Sequence, residues 1–100
     1  MSQRTSVDQL SFYVNGSHTQ NATISSAVTI TAPAGATLMI VQAIDTNIRL
    51  TLDGTVPTTT KGFRLTAGRD PIILSVTPGQ LIKVIEETAT ATIEYQFGNA

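Results

Sequence analysis

The feature that most constrains the fold of this chain is the alternation of apolar and polar residues in short segments. Over residues 48–53, Ile48, Leu50 and Leu52 occupy every second position and polar residues fill the positions between them. Residues 92–97 alternate in the same way. Because successive side chains of a β-strand point to opposite faces of a sheet, this period indicates strands with one face toward a core.

Segments of this kind recur along the whole chain and are separated by turn residues such as Asn15-Gly16 and Asp53-Gly54. The predicted strands are 7–14, 22–31, 36–44, 48–53, 63–66, 72–76, 81–87 and 90–97. About eight short strands at this spacing are typical of an antiparallel β-sandwich. The sequence therefore predicts one all-β, jelly-roll-like sandwich domain over residues 7–98, preceded by a flexible N-terminal arm over residues 1–6.

The charge of the chain argues against direct nucleic-acid binding. Charged residues make up only 13% of its 100 residues, where roughly 25% is typical, and the net charge is −1. The six lysines and arginines are scattered along the sequence and form no basic cluster. A protein that binds phosphate backbones usually concentrates such residues on one face. Polarity comes instead from Thr, Ser, Asn and Gln, and Thr in particular suits a half-buried strand.

The chain has no cysteine, which excludes a disulfide framework, a zinc–thiolate site and a cysteine nucleophile. Its N-terminal residues contain no apolar segment of signal-peptide length. No apolar run approaches the roughly 20 residues that a membrane-spanning helix needs. We therefore expect a soluble protein that is made in the cytoplasm and does not contact a membrane.

Candidate catalytic and metal-binding residues are few and poorly spaced. His18 is the only histidine, and no GxSxG-like nucleophile motif accompanies it, so an exposed loop residue is expected. Asp45, Asn47 and Asp53 carry oxygen ligands of the kind that Ca²⁺ prefers, but the EF-hand spacing is absent. Asp and Asn at turns usually cap their own backbone. No metal site is predicted.

Two adjacent carboxylates, Glu86 and Glu87, point to opposite faces if they lie in a strand. A glycosidase needs both carboxylates on one face. Glu94, on the next predicted strand, could sit opposite one of them, and cross-strand ion pairs with Lys83 or Arg64 are the expected role. We therefore predict no enzymatic activity and no cofactor.

The loop that follows Asp53-Gly54 is rich in threonine and almost uncharged, so it is predicted to be a shaped surface connection that contacts another protein. The predicted contact residues are Arg4 in the N-terminal arm and Thr55, Thr58, Thr59, Thr60 and Lys61 in the loop. Its hydroxyls could also bind sugars. Sugar sites usually offer an aromatic platform, however, and the chain has no Trp, while Tyr13, Tyr95 and all three Phe fit the predicted core.

A motif runs through the second half of the chain, as IRLTLDGTVPTTTKGFRLTAGRDPIILSV followed by PGQLIKVIEETATATIEYQFG. Its parts are an LDGT-P-T loop, a GF-L strand and a terminal IKVI…ATIEYQFG strand pair. In these parts the chain resembles small β-rich structural proteins of tailed bacteriophages. The motif is structural, so the resemblance transfers no active-site residues.

The resemblance implies a virion structural protein, and first of all a capsid decoration (cement) protein on the capsid surface. Such a protein would bind the major capsid protein at capsomer junctions, commonly as a homotrimer, and would stabilise the head. The alternative is a receptor- or glycan-binding β-sandwich module at a tail or fibre, which predicts exposed aromatic or cation-binding loops.

Overall fold

The structure is a computed structural model that describes residues 12–100. The predicted arm over residues 1–6, with Arg4, lies outside this range, as does most of the predicted strand 7–14. In the described part the chain forms nine strands and no helix, and so no helix that could cross a membrane. The strands are β1 (Tyr13–Val14), β2 (Thr19–Asn21), β3 (Val28–Thr31), β4 (Leu38–Ile44), β5 (Ile48–Thr51), β6 (Phe63–Leu65), β7 (Ile72–Ser75), β8 (Leu81–Glu86) and β9 (Thr92–Asn99).

These strands pair into two antiparallel sheets. Sheet A has the order β1-β9-β4-β7, with β2 pairing to the same edge of β9 as β1, and sheet B has the order β3-β8-β5-β6. From β2 to β5, and again from β6 to β9, each strand lies in the opposite sheet from the strand before it. Counted with β1 and β2 as one edge strand, this is the eight-stranded order of a jelly roll. The predicted all-β antiparallel sandwich is confirmed.

The core lies between the two sheets; in β5 it follows the alternation of the sequence, whereas in β4, where the sequence is almost continuously apolar, one face is buried and the other half-buried. In β4, Met39, Val41 and Ala43 are buried, and the residues between them are only half-buried. In β5, Ile48 and Leu50 are buried in the same way. Burying an aliphatic side chain of this size contributes about 1.5–3 kcal/mol. The other buried apolar residues of the core are Ile24, Ile30, Ala32, Ala36, Leu65, Val76, Ile82, Val84, Ala91, Ile93 and Phe97.

Strand β2 forms where the sequence predicts a polar turn, and the predicted strand 22–31 is correspondingly too long. Thr19 pairs with Tyr95 and Asn21 with Ile93, so this polar segment completes the edge of sheet A. Asn21 Oδ1 accepts a hydrogen bond from the Thr23 N–H at 2.8 Å, and this turn ends the strand. The chain then crosses to sheet B, where β3 begins only at residue 28.

For four side chains the predicted burial or exposure is wrong. Thr51 was expected to face solvent but is buried, and its hydroxyl donates to the Thr55 carbonyl of the following loop. Thr92 is also buried, opposite Ile44 of the central strand β4. Tyr13 and Phe63 were expected in the core, yet they are 63% and 69% exposed, because β1 and β6 are edge strands.

A glycine in β9 makes room for an aromatic ring on the outer face of sheet A. Gly98 is paired with Val14 on one side and with Leu38 on the other. A Cβ atom at this position would lie 2.4 Å from Cζ of Phe12. The ring of Phe12 therefore occupies the space that any other side chain at position 98 would need.

Replacing Gly98 with alanine should destabilise the fold by about 1–3 kcal/mol, the usual cost of overpacking. The effect should appear in urea unfolding as a lower midpoint with an unchanged slope. In a Phe12→Ala background the ring is absent, so the same Gly98→Ala change should cost much less, and the double-mutant cycle should show a clear coupling. An equal cost of Gly98→Ala in both backgrounds would contradict this packing.

Candidate functional site

The connection between β5 and β6, residues 52–62, begins with a turn closed by an aspartate. Asp53 Oδ1 accepts a hydrogen bond from the Thr55 N–H at 3.0 Å, and Gly54 has a φ of +86°. Hydrogen bonds from Thr55 lower the pKa of the Asp53 carboxyl below its ordinary value, so the capping group is ionised at neutral pH. This part of the loop is held by its own turn chemistry.

A second turn closes the far end of the loop. The Thr58 N–H donates to the Lys61 carbonyl at 3.1 Å, and the Lys61 N–H donates back to the Thr58 carbonyl at 3.2 Å. The Thr58 hydroxyl also accepts from the Thr60 N–H at 3.2 Å. Between the two turns Pro57 is fully buried. The loop is thus folded on itself around an apolar residue, while the side chains of residues 58–61 stay exposed.

Both ends of the loop are fixed to β5. Near its start, the buried Thr51 hydroxyl donates to the Thr55 carbonyl. At its end, Arg49 Nη1 donates to the Gly62 carbonyl at 3.0 Å. Gly62 has a φ of +125°, and a Cβ atom there would lie 2.9 Å from the Leu50 carbonyl oxygen. Only glycine allows the loop to return this close to the strand.

A groove of about 550 Å³ lies between this loop and the start of β6. Its apolar lining comes from Leu50, Leu52 and Phe63, and Asp53 and Lys61 lie at its polar rim. Phe63 is paired with Leu50, so the two side chains point to the same face of sheet B. The groove could accept an apolar side chain from a partner while the loop hydroxyls make hydrogen bonds around it.

Five of the six predicted contact residues lie together on this loop, and Arg4 lies outside the described residues. Thr55 is half-buried and belongs to the first turn, whereas the others are exposed: Thr58, Thr59, Thr60 and Lys61. That they touch a partner stays a prediction. The threonine-rich composition located the loop correctly, but it gave no indication that Thr55 and Thr58 also hold the loop together.

The sequence interpretation missed Phe63 and Val56, which are 69% and 56% exposed beside the same loop. Phe63 was assigned to the core because it alternates with Leu65, which is indeed buried. The sequence did contain a signal of an edge strand, since the predicted strand 63–66 is only four residues long and follows a long polar loop. Very short strands are common at sheet edges, where inward side chains are incompletely covered.

Of the two cations predicted to form cross-strand ion pairs, Arg64 pairs with Glu87, no ion pair of Lys83 is found among residues 12–100, and Arg49, which was not predicted, also pairs with Glu87. Its Oε2 atom accepts from Arg49 Nε at 2.7 Å and from Arg64 Nη2 at 2.9 Å, and its Oε1 atom accepts from Asn47 Nδ2 at 3.3 Å. Burial alone would raise the pKa of Glu87, but these hydrogen bonds outweigh it and the pKa lies below its ordinary value. Glu86 turns the other way and is buried, as expected for adjacent residues of a strand.

Three of the remaining polar candidates, His18, Glu94 and Asn47, have structural partners. His18 is exposed as predicted, and its Nε2 atom lies 2.6 Å from Glu94 Oε2, so Glu94 does not face Glu86 or Glu87. Asn47 Oδ1 accepts from the Ala67 N–H at 2.9 Å. Among residues 12–100, no three His, Asp or Glu side chains come together in a way that could hold a metal ion.

Comparison of the chain with protein-family models, with curated proteins and with solved structures gives no match. The similarity to phage structural proteins therefore remains a resemblance read from the sequence. The structure locates the residues that carry it: LDGT-P-T, residues 52–58, lies in the loop over residues 52–62, which ends at Gly62, and Phe63 begins β6.

Replacing Glu87 with glutamine removes a titrating group and leaves an oxygen that can still accept hydrogen bonds. Because the folded pKa is lowered, wild-type Glu87 contributes stability that is complete above its ordinary pKa of 4.5 and is lost as the pH falls through the lower folded value. Urea unfolding at a series of acid pH values should show a steeper loss of stability in the wild type than in Glu87→Gln. Identical pH dependence of the two proteins would contradict this assignment.

Proposed function

We propose that this protein is a non-enzymatic structural protein of a tailed-phage virion and that it decorates the capsid surface as a cement protein. In this proposal it binds the major capsid protein at capsomer junctions, acts as a homotrimer and stabilises the head. The resemblance of its second half to small virion proteins supports the proposal, as does a jelly-roll order of strands, which is common among viral capsid domains. A fold alone does not fix a function, so the main support comes from the loop.

The observation that carries the proposal is that the residues on which the resemblance to phage structural proteins rests form a surface already ordered in the free chain. Two turns, a buried Pro57 and the close approach of Gly62 to β5 fix the loop over residues 52–62. A contact surface that is fixed before binding loses less conformational entropy when the partner docks. This is what a protein needs if its task is to bind one repeated site on a shell.

The low charge of the loop also suits a surface that a partner covers. Asp53 and Lys61 are its only charged residues, and the threonines between them are neutral. Burying an unpaired charge costs several kcal/mol, whereas a hydroxyl needs only one hydrogen-bond partner. A capsid protein could therefore cover residues 55–60 with little electrostatic penalty.

Phe63 supplies an apolar anchor beside these hydroxyls. Its side chain is 69% exposed at the groove that Leu50 and Leu52 line. Aromatic residues are enriched at the buried centres of protein interfaces, and covering such a ring removes considerable apolar area from water. We place Phe63 at the centre of the contact and the threonine hydroxyls at its rim.

The exposed aromatics also favour the second candidate, a glycan- or receptor-binding module of a tail or fibre. Sugar sites combine an aromatic face with hydrogen-bonding groups, and Phe63 next to Thr55 offers both. Tyr13 is a second exposed aromatic. The lack of an aromatic platform was the argument against sugar binding at this loop, and the exposure of Phe63 removes that argument. Jelly rolls also occur among lectins.

The experiment that separates the two functions is mass measurement of the purified protein alone and after mixing with phage shells that lack it. A cement protein should form a discrete trimer, bind the shells at a fixed ratio and raise their melting temperature. A protein that ignores shells but binds immobilised glycans, or sediments with tails or host cells, would instead establish the second function and overturn the first.

Changing Phe63 to serine should weaken shell binding by about 2 kcal/mol or more, which is about thirtyfold in affinity, because the central anchor is lost. Thr59→Ala should weaken it less, as expected for a residue at the rim. A matched control is Thr29→Ala/Thr31→Ala, which removes two exposed hydroxyls from β3 and should leave binding unchanged. If Phe63→Ser binds shells like the wild type while keeping its β-sheet spectrum, the proposed contact is wrong.

A further inference from the structure

The outer face of sheet B gathers cations that are far apart in the sequence. Arg49 of β5 is paired with Arg64 of β6 on one side and with Ile85 of β8 on the other, so these three side chains share a face. Lys83 and Glu87 lie two residues to either side of Ile85, and alternation places them on the same face. Among the described residues, this surface therefore carries three cations and one carboxylate, and we call it the basic face.

The one carboxylate of the basic face is shared between both arginines. Arg49 and Arg64 lie directly opposite each other, where like charges repel. Both donate to the same Oε2 atom of Glu87, at 2.7 Å from Arg49 and 2.9 Å from Arg64. One negative charge neutralises only one of the two guanidinium groups. The Arg64 side chain is 50% exposed, so an additional carboxylate can approach it from outside.

Lys83 is a second positive centre on the basic face. Its neighbours across the sheet are Thr29 of β3 and Thr51 of β5, which are both uncharged. It forms no ion pair with any of residues 12–100. The charged residues of the nearby loop, Asp53 and Lys61, have opposite signs and leave the balance unchanged. Because Lys83 is half-buried, a carboxylate brought by a partner would offset the partial loss of its hydration.

The basic face is continuous with the loop over residues 52–62. Leu81 of β8 lies against the start of the loop, since a Cβ atom on Gly54 would be 3.6 Å from Leu81 Cδ1. The Arg49 side chain donates to the carbonyl of Gly62 at the end of the loop. Leu81 is also 43% exposed. A partner that covers this side of the molecule would bury apolar and charged groups together, which is typical of protein interfaces.

We propose that the basic face docks an acidic surface of a partner protein, whose carboxylates pair with Arg64 and Lys83. Charge complementarity of this kind steers a partner to its site and fixes its orientation. The inference goes beyond the proposed function and does not rest on it, because it concerns the charge of the partner and not its place in a virion.

A protein surface is favoured over nucleic acid as the occupant. Binding to a phosphate backbone draws its affinity from many cations, whereas the basic face has an excess of two, from three cations less one carboxylate. The chain as a whole has a net charge of −1, which opposes a long polyanion. The exposed Leu81 and the half-buried Ile85 add apolar area that a protein surface can cover and a phosphate backbone cannot.

The proposal is tested with a fluorescein-labelled oligoglutamate peptide, whose binding to the protein is followed by fluorescence anisotropy at low ionic strength. The wild type should bind this peptide in preference to oligoglutamine, and added salt should weaken the binding. Lys83→Glu should weaken it by about tenfold or more, because like charges across an interface repel. Lys83→Gln, which only removes the charge, should weaken it less and serves if circular dichroism shows that the glutamate variant does not fold.

The matched control is Gln20→Glu/Ser75→Glu, which makes the same change in net charge at two exposed positions of sheet A. It should bind oligoglutamate nearly as well as the wild type. An equal loss in the control and in Lys83→Glu would show an effect of net charge alone and would overturn the proposal. So would a failure of the wild type to bind oligoglutamate, or tighter binding of an oligothymidylate of the same charge, which would indicate a site for phosphates.

Discussion

The antiparallel pairing of β4 with β9 is the interaction on which the rest of the structure depends. It joins seven residues of each strand, from Leu38 opposite Gly98 to Ile44 opposite Thr92. β7 is added on the outer side of β4, and the edge strands β1 and β2 on the outer side of β9. The inward residues of this pair form one wall of the core, so sheet B is positioned by packing against it.

The candidate contact loop obtains its order in a different way from the sheets. Its backbone is held by side-chain and main-chain turns at Asp53 and Thr58 and by the burial of Pro57. Because these devices are local, the exposed side chains between them do not take part in the core. The loop can therefore present neutral hydroxyls and an exposed Phe63 to a partner without weakening the sandwich, which is the physical basis of the proposed function.

Alternation in the sequence was sufficient to predict the all-β class, most strand positions and the buried face of β5, because that strand lies inside its sheet. The sequence of β4 is almost continuously apolar, so it indicated a central strand but not which face is buried. Alternation failed at the edges. β2 is polar and is placed by its pairing with β9. Phe63 has an inward pattern but lies at the exposed start of the edge strand β6. Two further contacts depend on which strands are neighbours, and a single sequence does not specify this. They are the ion pairs of Glu87 with Arg49 and Arg64 and the packing of the Phe12 ring over Gly98.

The measurement that tests the central claim most directly is amide hydrogen exchange of the protein, free and bound to phage shells that lack it. An ordered contact loop predicts that the Thr58 and Lys61 amides are already protected in the free protein, and that protection over residues 55–63 increases on binding. Fast exchange of these amides in the free protein would contradict the claim that the loop is ordered before binding. Protection that appears only elsewhere on the bound protein would contradict its role as the contact surface.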